Sequence, residues 1–246
     1  MGKTKTVVIT GSSKGIGAAM AELFASSGYH VLMNYNQSEK EALNLCNKLI
    51  EKGLSVKLFK ADVTKRKEVE SMMKYCVHEF GGIDVLINNA GISQQKLFID
   101  ITENEFDEMI TGNLTSAFHC AQEALKYMLP EKAGKIINIS SIWGMVGASC
   151  EVHYSAAKAG LIGMTKALAK ELGPSNIYVN CIAPGVIQTD MLSTLKETDL
   201  NSLKEDTPLM KLGAPQDIAE CALFLASSHA NFITGQVISP NGGFVI

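Results

Sequence analysis

The chemistry-bearing residues of this chain cluster in positions 141–158, S-I-W-G-M-V-G-A-S-C-E-V-H-Y-S-A-A-K, where Tyr154 and Lys158 stand four residues apart. The Ala- and Gly-rich run that follows has helical periodicity, which places both side chains on one helix face. A free tyrosine ionises near pH ~10. A lysine beside it favours the phenolate and brings the group toward acid/base work near neutrality. Ser141 adds a hydroxyl that could orient a carbonyl oxygen. The same spacing also describes a solvated helix face, so the residues upstream decide.

Those residues belong to short apolar runs alternating with longer helical patterns. Strands are predicted at residues 6–10, 30–34, 55–60, 85–88, 135–140, 178–183 and 236–238. The first six are rich in Val, Ile and Leu and poor in charge, as strands covered on both faces are. Helices are predicted at 15–27, 38–52, 65–80, 103–128 with a break, and 154–171. Such regular alternation means βαβ units, hence a Rossmann-type doubly wound parallel sheet of about seven strands with helices on both faces. No repeat or linker marks a second domain. Residues 184–215 form one long irregular stretch, of a size that commonly serves as a substrate loop or lid.

The first strand runs into Thr10-Gly11-Ser12-Ser13-Lys14-Gly15-Ile16-Gly17. Glycines there permit a tight turn, close approach of backbone N–H groups to phosphate, and a helix N-terminus that favours anions. The second strand ends in Asn34-Tyr35-Asn36-Gln37-Ser38, with no acid to repel a 2′-phosphate. Lys14 supplies a cation and Asn34, Asn36 and Ser38 hydrogen bonds, so the expected dinucleotide is NADP(H).

These motifs, with Asp62-Val63, Asn88-Asn89-Ala90-Gly91, Asn113, Ser141, Tyr154-x-x-x-Lys158 and Pro184-Gly185, follow one another as in the short-chain dehydrogenase/reductase family, which the chain resembles along its whole length. The resemblance implies a catalytic tetrad of Asn113, Ser141, Tyr154 and Lys158. Tyr154 would protonate an alkoxide, Ser141 would bind the same oxygen, Lys158 would depress the phenol and bind the nicotinamide ribose, and Asn113 would hold a water. It further implies cofactor contacts from Gly11, Ser13, Lys14, Gly15, Ile16, Gly17, Asn34, Asp62, Val63, Asn89, Ala90, Gly91, Pro184, Gly185, Ile187 and Thr189.

Within that family the runs Lys135-Ile-Ile-Asn-Ile-Ser-Ser141, Ala156-Ala-Lys-Ala-Gly-Leu-Ile-Gly163, Val179-Asn-Cys-Ile-Ala-Pro-Gly185 and Pro208-Leu-Met-Lys-Leu-Gly213 make the chain similar to 3-oxoacyl-[acyl-carrier-protein] reductases. That similarity implies NADPH-dependent ketone reduction in fatty-acid synthesis, acyl carrier protein as a partner, and a homotetramer built on the two long helices and the last strand. The wall before Tyr154, Ala148-Ser-Cys-Glu-Val-His153, departs from the Gly-Gln pair of those reductases. Trp143, Met145, Cys150 and His153 are expected to line the substrate pocket, and Lys126, Lys132 and Lys135 to face an acidic carrier. A hydroxysteroid, sugar or keto ester is the alternative substrate, and a non-catalytic NADP-binding regulator the reading of a different class.

Composition narrows the field. Net charge is −3, with Arg66 the single arginine and the lysines scattered, which argues against a nucleic-acid surface. The six cysteines are singly spaced and match neither a zinc pattern nor a disulfide framework, so no metal is expected and a reducing, cytoplasmic setting is. The first apolar segment starts at Thr6 and no run approaches a membrane span, so neither a leader nor a membrane anchor is expected.

Overall fold

The computed structural model describes residues 4–189 and 197–246. Seven parallel strands form one sheet in the order β3-β2-β1-β4-β5-β6-β7. They are β1 (Thr6–Ile9), β2 (His30–Tyr35), β3 (Val56–Lys60), β4 (Val85–Asn88), β5 (Gly134–Ile139), β6 (Ile177–Ile182) and β7 (Val237–Ile238). The order reverses between β1 and β4, and in such sheets ligands bind in the crevice beyond the strand ends at this switch point.

Alternation along each strand divides the core into two layers. Val7, Ile9, Val31, Met33, Ile87, Ile137 and Ile182 point to the face covered by α1 (Gly15–Ser26), α2 (Glu39–Glu51) and α9 (Pro215–Ala226). Val8, Leu32, Leu86, Ile136 and Val179 point to the other face, where α3 (Arg66–Phe80), α5 (Ser116–Glu131) and α7 (Val152–Leu172) lie. Both faces of the central strands are therefore apolar, and their ends are left to carry the polar residues.

The predicted strands and the first three helices fall where the pattern places them, within one or two residues at the ends. The expected break in the fourth is a π-helical turn, Thr111–Thr115, between α4 (Glu103–Ile110) and α5. A reciprocal cap starts α4: Glu105 N–H donates to Thr102 Oγ1, and the Glu105 carboxylate accepts from the Thr102 amide. Two helices depart from expectation. α8 (Glu197–Glu205) lies inside the stretch read as irregular, and α9 was not anticipated. Pro215 occupies the first turn of α9, where its missing N–H costs nothing, and Ile218, Ala219, Ala222, Leu225 and Ala226 bury its inner face against α1.

Candidate active site

A cleft of about 890 Å³ opens beyond the ends of β1, β4 and β5, and every position named above as catalytic or cofactor-binding lines it. The glycine loop forms its floor. Gly11 has φ +61°, and a β-carbon there would lie 2.9 Å from Ala90 Cα. One on Gly17 would strike the Gly11 carbonyl and come within 2.6 Å of Asn89 Nδ2. The cradle is therefore shaped by missing side chains, as close backbone approach to a pyrophosphate requires.

The two halves of the sheet are tied together at this floor. Thr10 Oγ1 accepts the amides of Asn89 and Ala90, each at 3.0 Å, and Asn89 Nδ2 donates to the carbonyls of Thr10 and Gly11, each at 3.0 Å. Asn34 plays a part other than the one expected. Its Oδ1 accepts from the Gly11 amide at 3.2 Å and its Nδ2 donates to the Ala61 carbonyl at 3.0 Å, with the residue 2% exposed. Its polar atoms hold the glycine loop to the end of β3, so Lys14, Asn36, Gln37 and Ser38 are left to meet a ligand at that lip. Asp62 accepts from the amide and hydroxyl of Thr64 at 3.0 and 2.7 Å. Burial opposes its charge, but these bonds and nearby Lys65 outweigh it and hold the carboxyl below its ordinary value.

On the opposite lip, Pro184 and Gly185 follow β6. The Pro184 carbonyl accepts the Ile142 amide at 3.0 Å, and a β-carbon on Gly185 would lie 2.7 Å from Asn241 Cα. Ile187 is buried and bridges to Gly213, while Thr189 sits against Gly15 across the loop.

The corner that holds the expected tetrad joins β5, α7 and the π-helical turn. Lys158 is 4% exposed, donates from Nζ to the Ile139 carbonyl at 2.9 Å, and lies 5.6 Å from the Tyr154 ring centroid. Gly144, in the short helix α6 (Trp143–Val146), lets that helix rest on the Lys158 backbone, since a β-carbon would come within 2.7 Å of Lys158 C. The Ser141 hydroxyl accepts the Trp143 amide at 3.2 Å and favours ionisation of the Tyr154 phenol. Asn113, in the π-helical turn, accepts from Ile92 N–H at 3.2 Å and donates to Ile92 O at 2.9 Å and Met109 O at 3.0 Å. π-helical turns of this kind are frequent at functional sites.

The electrostatics differ from the expectation that Lys158 lowers the phenol. Burial pushes Tyr154 up to about 12, with Glu151 acting in the same direction and Ser141 against it. Burial likewise pushes the Lys158 amine down to about 8. The ammonium turns to the Ile139 carbonyl, and withdrawal from water dominates both groups. A phenol so placed keeps its proton at neutral pH.

The substrate wall is partly as expected. Trp143 lines the cleft, its ring edge-on to Phe244 at 5.8 Å between centroids. Met145 is 44% exposed beyond the cleft lining, and Cys150 adopts φ +61° outside it. His153 is wholly buried behind the wall, bonded through Nε2 to Gln94 Oε1 at 2.9 Å. Because Gln94 Nε2 donates to Glu105 at 3.0 Å, its Oε1 is the acceptor and His153 Nε2 carries the hydrogen. Gln94, Gln95 and Leu203 of α8 also line the cleft. Nothing in the spacing marks the two glutamines, and Leu203 lies in the stretch expected to form a lid.

Of the lysines expected to face a carrier, Lys132 is exposed and Lys126 is paired with Glu123 at 2.6 Å. Lys135 is not available: it is 8% exposed and donates to the carbonyls of Leu225, at 3.2 Å, and of Ser227, and to Asn231 Oδ1 at 3.0 Å. It caps the end of α9 from beneath.

A family model described as "Enoyl-(Acyl carrier protein) reductase" matches residues 11–245. Together with the switch-point cleft and the Ser141–Tyr154–Lys158 corner, this places the chain in the short-chain dehydrogenase/reductase family, oxidoreductases acting between CH–OH and C=O groups. The chain is 41% identical over 243 residues, 99% of each chain, to the 3-oxoacyl-[acyl-carrier-protein] reductase FabG of Staphylococcus aureus strain Mu50. It is also 41% identical to the FabG proteins of Staphylococcus epidermidis, over 97% of this chain and 98% of the relative, and of Chlamydia muridarum, over 97% and 96%. Among the described residues no helix is long and apolar enough to cross a membrane.

Proposed function

We propose that the chain reduces the ketone of a 3-oxoacyl chain, carried as a thioester on acyl carrier protein, to the 3-hydroxyacyl product at the expense of NADPH. The observation that carries this reading is the pairing of Ser141 and a protonated Tyr154 at one corner of the cleft, in a chain resembling FabG over its full length. The family description names C=C reduction and the relatives' names C=O reduction. The hydroxyls of Ser141 and Tyr154 suit an oxygen that gains negative charge, and the full-length relatives' names favour the ketone as the group reduced.

The cradle fits a nicotinamide dinucleotide, since Gly11, Gly17 and Gly185 let the loops that line it pack directly on Ala90, Asn89 and Asn241, where side chains would force them apart. When bound, the dinucleotide supplies the hydride. Ser141 donates a hydrogen bond to the carbonyl oxygen, and Tyr154 delivers its proton there as charge develops. Lys158 would be the cation that binds the ribose, and Asn113 fixes the turn beside Gly91. Burial keeps the phenol protonated at neutral pH, the form in which it can give its proton to the developing alkoxide. Lys14, exposed and without an ion-pair partner among the described residues, supports NADPH over NADH.

A cytoplasmic homotetramer belongs to the same reading. On α7, Ala156, Ala159 and Gly163 face outward while Ala157 is buried and Gly160 packs on Leu114; Phe118 of α5 is 45% exposed. An outward face of small residues on one helix and an exposed ring on the other suit partner helices.

The test is NADPH oxidation with a 3-oxoacyl thioester, on acyl carrier protein and on a short pantetheine mimic. Turnover of both, with the carrier form preferred, supports the reading; consumption only with an enoyl thioester would replace it.

A further inference from the structure

Residues 94–96, after β4, and residues 150–153, leading into α7, are bonded into one wall of the cleft. Lys96 N–H donates to the Cys150 carbonyl at 2.7 Å, Gln95 Nε2 donates to Glu151 Oε1 at 3.3 Å, and His153 meets Gln94 at 2.9 Å. This wall places a carboxylate, Glu151, in the cleft three residues before the proton donor. No cation pairs with Glu151 among the described residues, and its only side-chain hydrogen bond there comes from a neutral amide. The position caps α7, yet the Glu151 side chain makes no capping bond, so it is not spent on the helix end. A half-buried carboxylate with a free oxygen is costly without a partner.

Resting on the ketoreductase reading, we propose that Glu151 is a specificity-determining residue: its free oxygen takes a hydrogen-bond donor or a positive charge on the chain flanking the substrate ketone, and turns away substrates with a carboxylate there. The ketone is then a neutral or donor-bearing ester, amide or thioester, not a free oxo acid. Gln95 holds the carboxylate in place from the facing segment. Discrimination arises as much from the repulsive partner as from the attractive one.

The experiment compares acetoacetate esters with ethyl, hydroxyethyl, trimethylammonioethyl and carboxymethyl groups, using the full chain with NADPH. The wild type should favour the cationic over the carboxylate ester by about tenfold or more in kcat/KM, carried mainly by KM, since one charge at contact distance is worth that much even when well screened. Glu151→Gln, which keeps shape and Gln95 contact, should bring the two esters to within about threefold. Gln95→Leu, which keeps the charge, should retain the preference. An unchanged ratio in Glu151→Gln, or equal loss in both variants, overturns the proposal. Should Glu151→Gln not fold, Glu151→Ala serves in its place by the same ratio, and a wild type that uses the cationic and the carboxylate ester equally overturns the proposal by itself. Failure of the wild type to reduce any ester would overturn the ketoreductase reading itself, and the Glu151 assignment with it.

Discussion

Gly91 and Asn113 touch so closely that a β-carbon on the glycine would fall inside the contact distance of Asn113 Oδ1, and 3.4 Å from Lys158 Nζ. One missing side chain thus leaves room for both Asn113 and Lys158. Gly91→Ala should displace the Asn113 carboxamide and the lysine, at a cost of about 1–3 kcal/mol of stability. Turnover should fall about tenfold or more, since the same displacement misplaces the catalytic corner. Urea unfolding and steady-state rates on one preparation check both.

Tyr154→Phe keeps the ring and removes the proton. Turnover should drop by about 10²–10⁴-fold, while dinucleotide binding, followed by quenching of Trp143 fluorescence, stays within a few-fold. Near-normal turnover would assign the proton to another group.

Lys14→Ala should weaken NADPH about tenfold and leave NADH unchanged, because an exposed cation contributes only where the 2′-phosphate stands. Equal weakening of both would place Lys14 on the shared pyrophosphate instead.

Asn34→Asp imitates the acid that ends the second strand of NAD-binding proteins. Here it should unfold the loop before it switches the cofactor. The Asn34 amide nitrogen faces the carbonyls of Tyr35, Phe59 and Ala61 at 3.3, 3.5 and 3.0 Å, and a carboxylate would meet them with oxygen against oxygen. A loss of about 2–4 kcal/mol is expected, read from the urea midpoint.

Stability should pass through a maximum near pH 9. Burial holds Lys158 and Lys135 at about 8, below their ordinary 10.5, so as pH rises past 8 the unfolded chain binds more protons and stability rises. Burial raises Cys76 and Cys120 to about 12 and Cys181 and Cys221 to about 11, from 9.0. Above pH 9 the folded chain therefore binds more protons, and four thiols outweigh two amines. Urea midpoints between pH 7 and 10.5, in reducing buffer, trace the rise and the fall; Lys135→Met should flatten the rise.

The sheet was legible because its central strands are apolar on both faces, and the gathering of Asn113, Ser141, Tyr154 and Lys158 along one cleft because they stand at motif spacings. Orientation was not. β2 is buried on both sides, so nothing in His30–Tyr35 reveals that Asn34 turns inward to Gly11 and Ala61. Lys135 reads as a surface charge until α9 is placed over it. α9 itself was hidden by Pro215, read as a loop residue, although Pro in a first helical turn is a start signal. The phenol's raised pKa depends on burial and on where the Lys158 amine turns, neither of which residue spacing encodes.

Lys135 carries a consequence for the order in which the chain can mature on the ribosome. Its three acceptors lie 90, 92 and 96 residues later in the sequence. Until residues 225–231 have emerged, β5 presents an amine that has none of them, and water must remain at the base of the sheet. Long-range closure of this kind is slow, and unfinished chains expose apolar strands meanwhile. The base of the sheet can therefore close only after residues 225–231 have emerged, and a chain cut before Leu225 would lack all three acceptors of this buried amine.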